Sequence, residues 1–311
     1  MINRLIVKEL RNVSEKGPNE RNCPKISIVT PSYNQARFLE MTMLSVLNQA
    51  YPSLEYVVID GGSTDNSVEI IRQYKNHLAY WISEPDLGQY DALNKGFART
   101  NGEIMGWINS DDKYTTWAFQ VVSEIFSTLP EVQWITTQYP LTWDEYGRAM
   151  RCRYQDGYSY KGFFRGENLP GRSTLSTGWI QQESTFWRRS LWERAGGYID
   201  SSLSFAGDFE LWARFYQHSE LYGVNTPLGG FRRYGDQKSG NFLKEYIKEA
   251  ENILSKYDKS YRSRIFTYFI ERVARIVPYR FRQMAIKHQL ILPYKICVYD
   301  WANQRWMILI I

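Results

Sequence analysis

The run IMGWINSDD, residues 104–112, carries two adjacent carboxylates directly after an apolar segment. Ile104 to Ile108 is short and hydrophobic, as a buried strand is, and Asp111 and Asp112 close the stretch. Two neighbouring carboxylates repel each other unless a cation binds them, and oxygen ligands of this kind favour Mg²⁺ or Mn²⁺. The residues alone also allow a second interpretation, in which Ser110 or Asp112 caps the helix that follows.

Strands and helices are predicted to alternate on both sides of this run. Short apolar or β-branched segments indicate strands at 26–30, 56–59, 78–83, 103–108 and 132–137. Apolar residues at helical spacing indicate helices between these segments. The alternation is typical of an α/β fold with a mostly parallel central sheet and helices on both faces. Ligands of such sheets bind beyond the carboxyl ends of the strands, where Asp60, Asp86 and Asp111 all fall.

Composition narrows the class of protein. Lys and Arg number 38 against 33 Asp and Glu, and a net charge of +5 is too small to indicate nucleic-acid binding. Cys23, Cys152 and Cys297 are odd in number and far apart, which argues against a disulfide scaffold or a zinc site. The chain has no apolar run of about 20 residues, and residues 1–21 lack the apolar core of a secretory signal. We therefore expect a cytoplasmic globular protein without a nucleic-acid partner.

Three regions are predicted along the chain. Residues 1–24 form a charged lead-in, residues 25–240 a catalytic domain, and residues 241–311 a C-terminal helical appendage. Inside the catalytic domain, residues 140–180 show no clear period and are expected to form a loop region facing the substrate. In the appendage, residues 264–282 combine an apolar stripe with five arginines.

A basic amphipathic segment of that kind can lie on an anionic membrane surface, at the inner face of the plasma membrane. Trp301, Trp306 and residues 307–311 would add apolar anchoring. The alternative is that these helices pack against the catalytic domain, as most amphipathic helices pack against a core.

Five motifs in order give the chain a family resemblance. They are Ile28 to Asn34, Val58 to Asp65, Glu84 to Gly96, Asn109 to Asp112, and Gly207-Asp208. Together they resemble the family-2 glycosyltransferases, inverting enzymes with the GT-A nucleotide-diphospho-sugar transferase fold, and most of all the bacterial members that build cell-surface polysaccharide. The similarity covers residues 25–240.

The resemblance implies roles for particular residues. Asp111 would bind Mg²⁺ or Mn²⁺, and Asp208 would be the catalytic base, although its place at a helix start also suits a cap. The donor would be a nucleotide-diphospho-sugar carrying UDP or dTDP, and the acceptor a saccharide or a lipid-linked saccharide. Residues expected to contact the donor are Thr30, Pro31, Tyr33, Asn34, Asp60, Gly62, Ser63, Asn94, Lys95, Asn109, Ser110 and Asp112. Residues expected on the acceptor side are Trp179, Gln182 and Glu183.

The sequence departs from the family pattern at three positions. Gly61 replaces the second Asp of the family's Asp-Asp-Gly-Ser motif, and Asn109 replaces the first Asp of its metal-binding region. Tyr234 stands where relatives often carry His. These changes imply a more open metal site that phosphates and water would complete. A catalytically inactive sugar-nucleotide-binding protein and a nucleotidyltransferase remain the alternative functions.

Overall fold

The computed structural model describes residues 23–170, 178–235, 242–257 and 294–311. Within these ranges, the main sheet has nine strands in the order β13-β12-β10-β6-β9-β4-β1-β2-β3. Their bounds are β1 Ile26–Ser32, β2 Leu54–Asp60, β3 Tyr80–Ser83, β4 Ile104–Trp107, β6 Trp134–Thr137, β9 Phe186–Arg188, β10 Tyr222–Val224, β12 Lys295–Asp300 and β13 Arg305–Ile310. Most neighbours pair in parallel, whereas β9 runs antiparallel to β4 and β6, and β13 antiparallel to β12. The predicted α/β architecture is confirmed.

Successive residues of a strand point to opposite sides of the sheet, so both of its faces carry apolar side chains, and helices cover both faces. Val29 joins one buried cluster and Ile28 the other. The helices are α1 Ala36–Leu47, α2 Ser67–Tyr74, α3 Gln89–Phe97, α4 Ala118–Thr128, α5 Tyr160–Phe164, α6 Arg189–Arg194, α7 Gly207–Tyr216 and α8 Leu243–Ser255. Gly96 of α3 lies directly on β1, since a Cβ added there would approach Val29 Cγ1 to 2.4 Å. The glycine therefore sets the close spacing of α3 and the sheet.

A second, four-stranded sheet corrects one prediction. Residues 140–180 are not simply a loop region, because they include β7 Leu141–Trp143, β8 Ala149–Cys152 and helix α5. These strands join β5 Lys113–Tyr114 and β11 Gly229–Arg232 in the order β5-β11-β7-β8. Because β11 pairs with β5, it lies beside residues 113 and 114, which directly follow Asp112.

The C-terminal region also differs from the prediction. Helix α8 confirms helical structure at 243–255, but residues 295–310 form the antiparallel pair β12 and β13 rather than helices. Strand β12 pairs in parallel with β10, so the main sheet contains strands from both sides of the boundary predicted near residue 240. The predicted lead-in (apart from residues 23 and 24) and the amphipathic segment 264–282 lie outside the described residues. In the described part of the chain, no helix combines the length and the hydrophobicity needed to cross a membrane.

Candidate active site

Asp111 lies at the end of β4 with its side chain partly exposed. The hydroxyl of Tyr234 donates to its Oδ2 at 2.7 Å, and Arg232 Nε donates to its backbone carbonyl. Burial, and next the charge of Asp111, raises the pKa of Tyr234, so the phenol stays protonated and acts as the donor. Strand β11, which pairs with β5, thus brings Arg232 into the site, and the chain just after the strand brings Tyr234.

Asp112 is fully buried beside Glu183, and the two carboxyl groups are hydrogen-bonded. The backbone N–H of Arg232 donates to Asp112 Oδ1 at 2.7 Å. Burial, and after it the charge of Asp111, raises the pKa of Asp112 well above its usual range, and burial raises the pKa of Glu183 to about 7. The pair therefore holds a proton near neutral pH.

An amide network fixes the turn between β4 and β5. Asn109 Nδ2 donates to Asp112 Oδ2 and to Gln182 Oε1, both at 3.3 Å, and Asn109 Oδ1 accepts from Gln89 Nε2 at 2.7 Å. Gln182 in turn donates to the carbonyl of Trp107 at 2.7 Å. Ser110 is buried, and its carbonyl accepts from Thr42 Oγ1 at 2.9 Å. Asn109 and Ser110 consequently shape the turn that presents Asp111.

Asp208 lies in the first turn of α7 and is partly exposed. Its Oδ1 accepts from the backbone N–H of Phe209 at 2.7 Å, and its carboxylate also accepts from the hydroxyl of Tyr246 on α8. Burial raises the pKa of Asp208 to about 6. The charges of Asp111 and Asp208 both help to raise the pKa of the buried Glu183, so each of the two carboxylates lies within electrostatic range of it.

Helix α8 also holds the loop before Asp208. The Glu249 carboxylate accepts three successive backbone N–H groups, from Ser204 at 3.1 Å, Phe205 at 3.0 Å and Ala206 at 2.8 Å. The hydroxyl of Tyr90 accepts from the N–H of Gly207 at 2.9 Å. The segment that carries Asp208 is therefore fixed from two helices, α3 and α8.

The carboxylate of Asp60, at the end of β2, accepts four hydrogen bonds from the protein. They come from the N–H groups of Gly62 (3.2 Å) and Ser63 (2.9 Å), and from the hydroxyls of Ser63 (2.5 Å) and Ser83 (2.7 Å). Gly62 adopts a φ of 81°, which favours glycine. Asp60 thus organises the turn after β2, with three of the four bonds at Oδ2 and one at Oδ1.

The turns after β1 and β2 are bonded to each other. Asn34 has a positive φ of 52°, its N–H donates to Ser63 Oγ at 2.8 Å, and its Oδ1 accepts from the N–H of Thr64 at 2.8 Å. Thr30 is buried inside the sheet and bonded to the Tyr56 hydroxyl at 3.0 Å, so only its backbone can reach a donor.

Pro31 is a buried residue of β1 paired with Ile59, whereas Tyr33 is 61% exposed at the strand end. Of these strand-end residues, Tyr33 is the one whose ring is open to stack on a base.

Asn94 and Lys95 of α3 are occupied by protein partners. Asn94 exchanges hydrogen bonds of 2.8 Å with both backbone groups of Ile199. Lys95 Nζ lies 3.3 Å from Glu84 and 3.2 Å from Asp91. Asn94 therefore ties α3 to the loop that leads to α7, and a phosphate contact by Lys95 would have to compete with two carboxylates.

The three residues predicted on the acceptor side differ in their exposure to solvent. Trp179 is 37% exposed, as a stacking platform would be. Gln182 and Glu183 are buried beneath the turn that follows β4. Their positions suit support of Asp111 and Asp112 better than direct acceptor contact.

In the described residues, no three His, Cys, Asp or Glu side chains converge to hold a metal ion. The donor set still fits a hard divalent cation, because Asp111 offers a partly exposed carboxylate next to the buried, negatively charged Asp112 and Glu183 pair. The protein would supply few ligands, and diphosphate and water the remainder.

Several residues that contribute to the site were not predicted from the sequence. Arg232 is fully buried, and Tyr246 and Glu249 come from a helix that was placed outside the catalytic domain. Tyr234 stands where relatives often carry His, and Arg232 lies two residues before it, which was the one available signal. The spacing of Tyr246 and Glu249 gives no such signal, since both residues fit the pattern of an ordinary amphipathic helix.

The family match to known proteins covers the first four of the five motifs. Residues 27–182 match the family described as Glycosyl transferase family 2. The chain belongs to that family. An uncharacterised glycosyltransferase of Mycobacterium tuberculosis is 30% identical to this family-2 chain over 190 residues, 61% of this chain and 68% of the relative. A Bacillus subtilis glycosyltransferase assigned by name to teichuronic acid biosynthesis is 36% identical over 96 residues, 29% of this chain and 37% of the relative.

Solved structures confirm the GT-A fold of this family-2 glycosyltransferase. Staphylococcus aureus TarS 1–349 in complex with UDP-GlcNAc aligns with a TM-score of 0.56 and 15% identity, over 86% of this chain and 76% of TarS 1–349. A Pyrobaculum calidifontis mannosyltransferase in complex with GDP-Man and Mn²⁺ aligns with a TM-score of 0.51 and 15% identity, over 93% and 86% of the two chains.

Proposed function

We propose that this glycosyltransferase moves a sugar from a UDP- or dTDP-sugar to a hydroxyl group of a saccharide or lipid-linked acceptor, in polysaccharide biosynthesis. The observation that carries the proposal is that Asp111 and Asp208 are both within electrostatic range of the buried Glu183. The UDP-GlcNAc bound to TarS and the name of the Bacillus subtilis relative support the donor and the pathway class.

In the proposed reaction Asp208 acts as the general base. The acceptor oxygen attacks the anomeric carbon while its proton passes to Asp208, and the bond from that carbon to the diphosphate oxygen breaks. A pKa of about 6 suits this role, because the carboxylate is ionised at neutral pH and still basic enough to take a proton. One direct displacement inverts the anomeric configuration.

Asp111 is the residue that would hold Mg²⁺ or Mn²⁺ against the donor diphosphate. A bound cation would neutralise the charge that develops on the leaving nucleoside diphosphate. Tyr234 orients the Asp111 carboxylate through the 2.7 Å hydrogen bond, in the place where relatives often have His. The buried pair below Asp111 keeps the site negative and so favours cation binding.

A donor screen tests the proposal. The full chain would be incubated with UDP-, dTDP- and GDP-sugars, with Mn²⁺, with Mg²⁺ and with EDTA, and nucleoside diphosphate release would be measured. We expect release from a UDP- or dTDP-sugar, and NMR of the transfer product should show the inverted anomer. Asp208→Asn should lower turnover by about 10²–10⁴-fold, the range for a general base. Donor binding without any turnover would favour the inactive sugar-nucleotide-binding alternative.

We further propose that the protein works in the cytoplasm at the inner membrane face, where lipid-linked acceptors are found. The exposed apolar residues of the terminal hairpin support this, with Trp301 84% exposed and Ile310 49% exposed. Flotation of the full chain on anionic vesicles at low salt tests it. A chain that stays with the soluble fraction would remove the membrane from the proposal.

A further inference from the structure

Asp86 follows β3 and packs against Gly61, the glycine that replaces an aspartate of the family motif. A Cβ added at Gly61 would lie 2.7 Å from Asp86 Oδ2 and 3.0 Å from Asp86 Cγ. The carboxylate of Asp86 thus occupies the space into which a side chain at position 61 would project. An Asp at position 61 and the present position of Asp86 exclude each other.

The two oxygens of Asp86 have different surroundings. Oδ1 accepts from the backbone N–H of Gly88 at 2.8 Å, which closes the turn before α3. No group in the described residues donates a hydrogen bond to Oδ2, and the side chain is partly exposed. Asp60, its nearest predicted competitor for a base contact, already accepts four hydrogen bonds from the protein. Asp60 is also fully buried, whereas Asp86 is partly exposed and keeps one oxygen to which no described group donates.

The position of Asp86 suits contact with the base of a nucleotide whose phosphates bind at Asp111. Strands β4, β1, β2 and β3 are consecutive neighbours, so three strand spacings of about 4.8 Å separate the ends of β4 and β3. A ribose and two phosphates fit in that span. The exposed ring of Tyr33, at the end of β1, lies in between and can stack on a base.

We propose that Asp86 reads the donor nucleobase, with Oδ2 accepting the imide N3–H of uracil or thymine. The inference rests on the proposed function, because it assumes a nucleotide donor. Cytosine has an acceptor at N3 and would face the carboxylate unfavourably. A pyrimidine imide offers one N–H, which matches the single oxygen that Asp86 leaves available.

Asp86→Asn is a sharp test because the Gly88 N–H selects the orientation of the new amide. Asn must direct its oxygen to that N–H, as Asp86 Oδ1 does now. Its NH₂ group then faces the base and can donate to cytosine N3 but cannot accept from uracil N3–H. The expected result is a UDP affinity lowered by roughly 10- to 100-fold, the effect of losing a hydrogen bond to a charged group, with CDP affinity raised.

Binding of UDP, dTDP, CDP and GDP to the full chain would be measured by calorimetry with Mn²⁺ present. Glu84→Gln is the matched control, since that carboxylate lies two residues away and pairs with Lys95 at 3.3 Å. It should leave the ratio of UDP to CDP affinity unchanged. Gly61→Ala is the second perturbation, because its Cβ would push Asp86 Oδ2 away and weaken UDP binding with the carboxylate intact.

The outcomes separate the two proposals. Suppose that the wild-type chain binds UDP and that Asp86→Asn has the same ratio of UDP affinity to CDP affinity as the wild type. This result overturns the role of Asp86 and leaves the proposed function standing. A wild-type chain that prefers GDP overturns both the role of Asp86 and the UDP or dTDP donor of the proposed function. A wild-type chain that binds none of the four nucleotides contradicts the proposed function itself.

Discussion

Replacing Tyr246 by Phe should move the pH dependence of catalysis. The Tyr246 hydroxyl donates to Asp208 and lowers the pKa of that carboxyl, which burial has raised to about 6. A hydrogen bond to a charged group contributes about 1.5–3 kcal/mol. At about 1.4 kcal/mol per pKa unit, the variant should have an Asp208 pKa between about 7 and 8.

The direction in which the pH profile shifts follows from the role of Asp208 as a base. Activity requires the ionised carboxylate, so it rises as the pH rises through the pKa, and a higher pKa moves this rise to higher pH. At pH 6.5 the ionised fraction would fall from about three-quarters to between about a quarter and a thirtieth, which is a loss of about 3- to 25-fold. At pH 9 the variant and the wild type should differ little.

The assay is the pH profile of kcat/KM, which reports the free enzyme. Tyr257→Phe is a suitable control, because Tyr257 lies just beyond α8, packs on Phe164 and makes no contact with Asp208. Its profile should match that of the wild type. A Tyr246→Phe profile superimposed on the wild-type profile, in a variant with an unchanged melting temperature, would refute the role given to this hydrogen bond.

Three further predictions concern the metal carboxylate, the buried acid pair and the contact of α3 with the sheet. Asp111→Ala should abolish transfer and the Mn²⁺-dependent part of UDP binding, measured by calorimetry with and without EDTA. Unchanged turnover that is also insensitive to EDTA would contradict the metal assignment. Glu183→Gln should raise the melting temperature more at pH 8 than at pH 5. The folded-state pKa of Glu183 is about 7 against an ordinary 4.5, so ionisation opposes folding increasingly as the pH rises, by at most about 3 kcal/mol. An equal gain at both pH values would exclude a shared proton. Gly96→Ala should lower stability by about 1–3 kcal/mol in urea unfolding, because its Cβ would overlap Val29 Cγ1. Wild-type stability would show that α3 can shift.

The sequence predicted the elements whose signal is local. Strands β1, β2 and β4 are apolar runs ended by polar turns, so their carboxyl ends, and with them Asp60 and Asp111, could be placed from the residues alone. The second sheet could not, because β7 has three residues and β5 two, too few to show a period. Such short strands form only because neighbours pair with them.

The contacts inside the site were the least predictable part. Arg232 reaches Asp111 across more than a hundred residues of chain, and the approach depends on the pairing of β11 with β5. The role of α8 was hidden for a similar reason, since its buried residues Ala250 and Leu254 indicate a packed helix but not what its polar face holds. The pairing of β13 with β12 was not predicted either, because residues 307–311 were considered only for their apolar character, and Trp306, which is buried in this strand, gave no sign of it.

The pairing of β10 with β12 has a consequence for the order in which the fold can be completed during synthesis. Strand β10 is made some 70 residues before its partner, since Tyr222 pairs with Lys295 and Val224 with Cys297. Until the ribosome has released residues 295–297, β10 presents unpaired backbone groups at the edge of the nascent sheet. An edge of this kind invites pairing with another chain, and translation that pauses within residues 258–293 would prolong the exposure. The newly made protein should therefore depend on chaperones most strongly in the interval between its catalytic residues and its final strands.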